Sequence, residues 1–248
     1  MIDASLRRQL AALRPDAGIV ILTGAGISRE SGLHTFRDAD GIWRQVRLDE
    51  VATPQAFARD PARVQGFYNA RRRAVLDPAV QPNEAHRALV RLEQAWTGPF
   101  LLVTQNVDDL HDRAGSDRLL HMHGELLKIR CGACGRMERY ENDLAADAIC
   151  PDCGARGTLR PHIVWFGEMP LHLAAIGDAL SDCGLFLSIG TSGQVYPAAG
   201  FATEARMAGA LTVEINLEPT GGLFDAGLYG PATLTVPAFV DGLLEAAR

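Results

Sequence analysis

Gly18-Ile-Val-Ile-Leu-Thr-Gly-Ala-Gly-Ile-Ser (18–28) decides the fold class. Residues 19–22 are all apolar, with no polar residue alternating between them. A run of that kind predicts a strand buried on both faces, as in a parallel sheet. It ends in Thr23-Gly-Ala-Gly, a turn whose glycines allow backbone N–H groups to approach a phosphate. Three further runs repeat the plan: FLLVT (100–104) before QNVDDLH, LFLSI (185–189) before GTSG, and LTVEI (211–215) before NLEP. HIVWF (162–166) before GE is a weaker fifth strand of the series. Helical patterns lie between. Residues 5–14 place Leu6, Leu10 and Leu13 on one face. In 82–96, Ala85, Leu89, Leu92 and Trp96 form one apolar stripe behind Asn83 as N-cap. Residues 171–180 and 198–209 behave alike. Strands alternating with helices imply an α/β protein with a doubly wound parallel sheet. Ligands bind such sheets beyond the carboxyl ends of the strands, where the glycine- and asparagine-rich segments fall.

Composition narrows the function classes. With 47% hydrophobic and 22% charged residues the chain is globular rather than disordered. Its net charge of −6 argues against binding nucleic acid through a bulk positive field. No apolar run approaches the roughly 20 residues of a membrane span. The first 18 residues lack the apolar core of a secretory signal. A cytoplasmic, monomeric protein without membrane or direct nucleic-acid partners is the expectation.

Two stretches interrupt the alternation, residues 38–80 and 126–159, and both read as insertions packed into a smaller module. The second contains Cys131-Gly-Ala-Cys134 and Cys150-Pro-Asp-Cys153, with fifteen residues between the pairs. Each pair offers two thiolates to one ion, and two pairs close a tetrahedral shell, so one structural Zn2+ is expected. Redox-active pairs are the alternative. Cys183, the fifth cysteine, precedes LFLSI and is expected in the core. The Gly24-Ala-Gly-Ile-Ser loop alone is a weak dinucleotide signal. It departs from G-x-G-x-x-G at Arg29, and no acidic residue ends a second strand about 20 residues on. Both departures count against an ordinary dehydrogenase and leave a plain glycine turn open. The stretch that follows, to Trp43, gathers Ser28, Ser31, Thr35 and Arg37 among apolar residues, a composition able to wrap a pyrophosphate and ribose.

Taken together, GAGIS and ESGLHTFR (within 24–37), PNEAHRAL (82–89), TQNVDDLH (104–111), HMHGE (121–125), the two CxxC pairs, RPHIVWFGE (160–168), GTSGQVYPAA (190–199) and INLEP (215–219) occur in order along nearly the whole chain. In these motifs the chain resembles the sirtuin family of NAD-dependent protein-lysine deacylases, as a bare catalytic core. The resemblance implies a Rossmann-like parallel sheet with a small inserted zinc-ribbon and helical module. The NAD-binding part would comprise 1–37, 82–125 and 160–248, and the small module 38–81 and 126–159. It also implies NAD as co-substrate and acylated lysine side chains of proteins as partners. Gly24, Ala25, Gly26, Ile27, Ser28, Thr35, Phe36, Arg37 and Trp43 would hold the phosphates, ribose and nicotinamide pocket. Gln105, Asn106 and Asp108 would line the nicotinamide-ribose end. Gly190, Thr191, Ser192, Asn216, Leu217, Glu218 and Ala232 would contact the adenosine half. Val164 and Phe166 would meet the substrate.

His123 would be the general base, since a neutral imidazole can accept a ribose hydroxyl proton near pH 7. Residue types alone do not separate it from six other histidines; the HGE motif selects it over His121. Asn106 and Asp108 would share the catalytic centre, Asp108 by favouring a cation-like ribosyl transition state. The implied reaction releases nicotinamide, forms an alkylamidate and yields free lysine and O-acyl-ADP-ribose. Phe67-Tyr-Asn-Ala-Arg-Arg-Arg73 bears on the acyl group. On a helix Tyr68 and Arg71 share a face, and a phenol with a guanidinium can bind a carboxylate. The bland reading of three consecutive arginines is a solvated basic face. The resemblance favours the first, because Tyr-x-x-Arg matches class III sirtuins, which prefer succinyl- or malonyl-lysine. Deacetylation is expected alongside. Protein mono-ADP-ribosyltransfer is the alternative enzyme reading, and a catalytically dead NAD- or acyl-lysine-binding module the alternative of another class.

Overall fold

The structure is a computed structural model that describes residues 2–33 and 47–247. Chain order begins with α1 (Ala4–Ala11), β1 (Gly18–Thr23) and a 3-10 helix (Ala25–Ser31). Helices α2 (Leu48–Val51), α3 (Pro54–Arg59), α4 (Pro61–Val75) and α5 (Glu84–Ala95) follow. Then come β2 (Phe100–Thr104), α6 (Leu110–Ala114), β3 (Leu119–His121), β4 (Gly124–Cys131), β5 (Met137–Arg139) and β6 (Leu159–Ile163). The last third holds α7 (Leu173–Ser181), β7 (Cys183–Ile189), α8 (Phe201–Met207), β8 (Leu211–Asn216), β9 (Ala226–Tyr229) and α9 (Ala232–Ala246).

Six strands form one sheet in the order β3-β2-β1-β7-β8-β9, every pair parallel. This is the doubly wound arrangement expected, and β1 shows why its run is apolar throughout. Ile19 and Ile21 enter a core with Leu6 and Leu10 of α1, Leu89 and Leu92 of α5, and Phe239 and Val240 of α9. Val20 and Leu22 point the other way, against Ile176 and Leu180 of α7 and Phe201 and Ala205 of α8. Side chains alternate across a strand, so burial on both faces requires an apolar residue at each position. All four stripe residues of α5 and its flank, Ala85, Leu89, Leu92 and Trp96, are buried. Asn83 caps that helix, its side chain accepting from Ala85 N at 2.9 Å. The indole of Trp96 donates to Ala17 O at 2.9 Å and ties the end of α5 to the start of β1.

HIVWF requires a correction. Only its first two residues are strand, and β6 belongs to a second, three-stranded antiparallel sheet, β5-β4-β6. An apolar run looks alike in either sheet. Pro161 marks the difference, since a proline lacking N–H is tolerated on an edge strand such as β6. Helix ends also differ: α1 stops at Ala11, and α7 begins at Leu173, after His172 adopts a left-handed φ of 63°.

Candidate active site

Three strand ends converge. After β1, Gly24 N donates to Ile189 O, and Gly26 N donates to Gly190 O, both at 2.9 Å. The loops after β1 and β7 are thereby pressed together. A Cβ on Gly24 would lie 2.9 Å from Gly190 O, and one on Gly26 would lie 2.7 Å from Gly190 Cα. Gly190 itself has φ +62° and would meet Ile27 N at 2.6 Å. The first demand for glycine here thus comes from the protein's own backbone. Beside this contact opens a cavity of about 370 Å³, lined by Gly26, Gly190, Asn216, Leu217 and Ala232 among others. Asn216 fixes its floor, donating to Thr191 O at 2.8 Å and accepting from Leu217 N at 2.9 Å. Thr191 is buried and accepts from Gly193 N at 3.2 Å, and Ser192 accepts from Gln194 N at 3.3 Å. Glu218 stands exposed beyond Leu217 and does not line the cavity.

The second group follows β2. Asn106 is buried; its amide donates to Gly24 O and to Ser28 Oγ, each at 3.2 Å. Ser28 in turn donates to Asp108 Oδ2 at 3.2 Å, and Leu110 N donates to Oδ1. Burial pushes the Asp108 carboxyl above the usual carboxylate range, against the pull of those two hydrogen bonds. Ile27 and Ser28 are themselves buried, and Ala25 opens the 3-10 helix.

His123 lies between β3 and β4, half-buried. Its Nδ1 is 3.1 Å from Gln105 O. A carbonyl only accepts, so Nδ1 carries the proton and Nε2 keeps its lone pair. Burial lowers the His123 pKa and so favours the neutral ring, partly offset by that carbonyl. His121 is different. Burial opposes its charge, but the Asp112 carboxylate at 3.0 Å outweighs it and raises the pKa. The two histidines that residue type could not separate thus shift in opposite directions, His121 up and His123 down. Gly124 follows His123 with φ +80°, and a Cβ there would sit 2.0 Å from His162 O. Val164 N donates to His123 O at 2.9 Å, which brings the 164–166 segment alongside.

Tyr68 of α4 is buried; Trp165 Nε1 donates to its hydroxyl at 2.9 Å, and burial pushes its pKa up to about 12. Arg71 is half-buried, its guanidinium 5.7 Å from the Phe67 ring centre. Burial lowers its pKa, opposed by Tyr68 and Asp108. The solvated-face reading of the arginine run fails for Arg72, which is fully buried, and holds only for Arg73, which pairs with Asp143 on the surface. Phe166 is exposed and Val164 half-buried. Thr35, Phe36, Arg37 and Trp43 lie outside the described residues.

The four cysteines Cys131, Cys134, Cys150 and Cys153 bring their sulfurs within 4.8 Å of one another. Cys131–Cys153 and Cys134–Cys150 are 3.8 and 3.7 Å apart. A tetrahedral ion with metal–sulfur bonds of about 2.3 Å requires edges of about 3.8 Å, so the donor set fits. Gly135 and Gly154 (φ +78° and +71°) turn the chain after each pair, donating back to Cys131 O and Cys150 O. Cys183 is buried, and its thiol pKa is pushed up to about 11.

One buried chain escaped the sequence. His111 Nε2 lies 3.0 Å from Thr23 Oγ1, Thr23 donates to Thr104 Oγ1 at 2.9 Å, and Thr104 Oγ1 accepts from Asn106 N. The His86 ring packs edge-on against His111 at 4.8 Å. Asn83, which caps α5, also donates to Ile27 O and Ser31 Oγ. The available signal was the recurrence of histidine in two short polar motifs, PNEAH at the start of α5 and DDLH after β2.

Residues 24–197 match the Sir2 family. An NAD-dependent protein deacylase of Bdellovibrio bacteriovorus is 56% identical over 235 residues, covering 94% of this chain and 99% of that protein. One of Escherichia coli K12 is 53% identical over 232 residues, covering 93% and 83%. The crystal structure of a Sir2 homolog–NAD complex superposes with a TM-score of 0.89 at 37% identity, covering 100% and 96%. A Sir2 complex with a deacetylated p53 peptide and 3′-O-acetyl ADP ribose gives 0.80 at 28%, covering 99% and 98%.

Proposed function

This chain belongs to the Sir2 family, and we infer from that premise that it is an NAD-dependent protein deacylase acting on acylated lysines. NAD supplies the electrophilic ribose carbon and the final acyl acceptor. The observation that carries the reading is His123. Its Nδ1 proton is committed to Gln105 O, so Nε2 is left to take a proton from a ribose hydroxyl. Asn106, anchored to Gly24 and Ser28, orients the nicotinamide-ribose end. Asp108, out of water, places a carboxylate where cationic character develops. Residues 24–28, with Thr35, Phe36, Arg37 and Trp43, hold the phosphates and nicotinamide. Gly190, Thr191, Ser192, Asn216, Leu217, Glu218 and Ala232 take the adenosine half, a role supported for Asn216, Leu217 and Ala232 by the cavity they line. Val164 and Phe166 meet the substrate chain.

Cys131, Cys134, Cys150 and Cys153 hold a structural Zn2+ in this reading, with no ligand position left open for chemistry. Thiolate ligands need a reducing milieu, which supports placement in the cytoplasm. The division into an NAD-binding part (1–37, 82–125, 160–248) and a small module (38–81, 126–159) is part of the same proposal.

Tyr68 and Arg71 select succinyl and malonyl groups, with acetyl removed as well. The test is a mass-spectrometric assay of matched acetyl-, malonyl- and succinyl-lysine peptides with and without NAD. All turnover should require NAD. Arg71→Met should lower desuccinylation by about tenfold or more while deacetylation changes little, as expected for a lost charge-assisted pair. Equal loss of both would make Arg71 structural.

A further inference from the structure

Helix α4 carries two adjacent buried stripes. Val64, Tyr68 and Val75, with Arg71 in the same row, face the cluster of Leu126, Ile163 and Trp165. One step around the helix, Gln65, Asn69 and Arg72 recur at spacings of four and three, the other row a helix can present to one neighbour. All three are at least nine-tenths buried. Their partners are backbone atoms of the cysteine-bearing segment and its flanking strands. Gln65 Nε2 donates to Leu159 O at 2.8 Å. Asn69 Nδ2 donates to Leu144 O at 3.1 Å, and its Oδ1 accepts from Leu144 N at 2.9 Å. Arg72 donates from Nε to Leu126 O at 3.3 Å, and from Nη1 to Asn142 O at 3.1 Å and Asn69 Oδ1 at 2.8 Å.

We propose that Asn69 and Arg72 are positioning residues for acyl selectivity, locking α4 to the backbone at Leu126 and 142–144 and so fixing Tyr68 and Arg71 against an acyl carboxylate. The proposal rests on the reading of Tyr68 and Arg71 as the acyl-carboxylate pair. Apolar packing alone resists sliding and rotation of a helix weakly, because it is not directional. Hydrogen bonds to main-chain groups are directional, and a guanidinium engages several at once in a fixed plane. Asn69 immediately follows Tyr68, and Arg72 immediately follows Arg71, so any rotation they prevent is rotation of the pair. A bidentate carboxylate contact tolerates little displacement. An acetyl group has no carboxylate and does not sense it.

The test compares kcat/KM for succinyl- and acetyl-lysine versions of one peptide at saturating NAD, in wild type, Asn69→Ala, Asn69→Asp, Arg72→Lys and Arg71→Met. The ratio of the two activities is unchanged by an inactive fraction, so partial unfolding does not mimic the effect. Asn69→Ala and Arg72→Lys should lower the succinyl-to-acetyl ratio by about tenfold, mainly through KM for the succinyl peptide, since misplacement near an ångström costs on that order or more. KM for NAD should stay within about twofold, as for a remote site. Asn69→Asp sets a carboxylate oxygen against Leu144 O where the amide donates, and should lower the ratio as Asn69→Ala does. Should Asn69→Ala not fold, Asn69→Ser, polar but too short to span both Leu144 bonds and Arg72, carries the comparison with the same expected fall. An unchanged ratio in these variants while Arg71→Met collapses it would overturn the proposal and leave the Tyr68–Arg71 reading intact. An unchanged ratio in Arg71→Met itself would overturn both.

Discussion

His123 is proposed as the base, and its neighbours bear on that role by what they deny it. The Gln105 carbonyl occupies one nitrogen, and burial holds the ring neutral. A base must be unprotonated, and a lowered pKa keeps it so to more acidic pH than a free imidazole. The acid limb of a kcat/KM–pH profile should therefore titrate below about 6.5, and a limb above that value would contradict the burial argument. His123→Ala should lower turnover of every acyl peptide by about 10²-fold or more, the usual worth of a general base, and mass spectrometry of product formation would measure it. His121, whose ring is committed to Asp112 at 3.0 Å, should not substitute for it.

Among the elements, the loops after β1 and β2 are held from beneath by the His86–His111–Thr23–Thr104 chain. Burial pushes His86 down to about 3 and His111 well below its ordinary value. The sign follows from linkage: below about 6.5 the unfolded chain takes up protons that the folded rings refuse, so stability falls as pH drops through that value. For His86 the loss should be about 2 kcal/mol between pH 7 and pH 5, read from denaturant melts, and His111 should add a loss of the same sign that His111→Asn removes. His121 has the opposite sign and offsets part of the fall. Of this layer the sequence told little. GIVIL announced β1 because two-sided burial leaves no polar position, and Asn83 announced α5 because a cap sits at a fixed offset from an apolar stripe. Leu119–His121 and Ala226–Tyr229 were not foreseen, since three or four residues carry no period. HIVWF was assigned to the wrong sheet because hydrophobicity records burial and not partner. His86 and His111 looked like any histidines, because their pairing spans 25 residues of chain and depends on the fold to bring them edge to face.

Across the whole molecule, β4 is the shared member. It starts at Gly124, beside His123, and ends at Cys131, a member of the thiolate cluster. Chelation that strips a metal from those cysteines should release about one Zn2+ per chain, as a four-thiolate site holds one ion. It should also unfold the β5-β4-β6 sheet and abolish deacylation together with it, followed by circular dichroism, metal release and peptide turnover on one sample. Activity persisting after complete release would separate the two ends of the strand. TQNVDDLH, GTSGQVYPAA and INLEP, among the motifs that carried the family resemblance, lie at strand ends. The docking of α4 by Asn69 and Arg72 was hidden inside what looked like a charge run.

Gly124 has a consequence for descent. A single methyl at that position would collide with the His162 carbonyl and wedge the base away from its neighbours. A lineage that keeps His123 in this setting is therefore expected to keep a hydrogen atom in the next place.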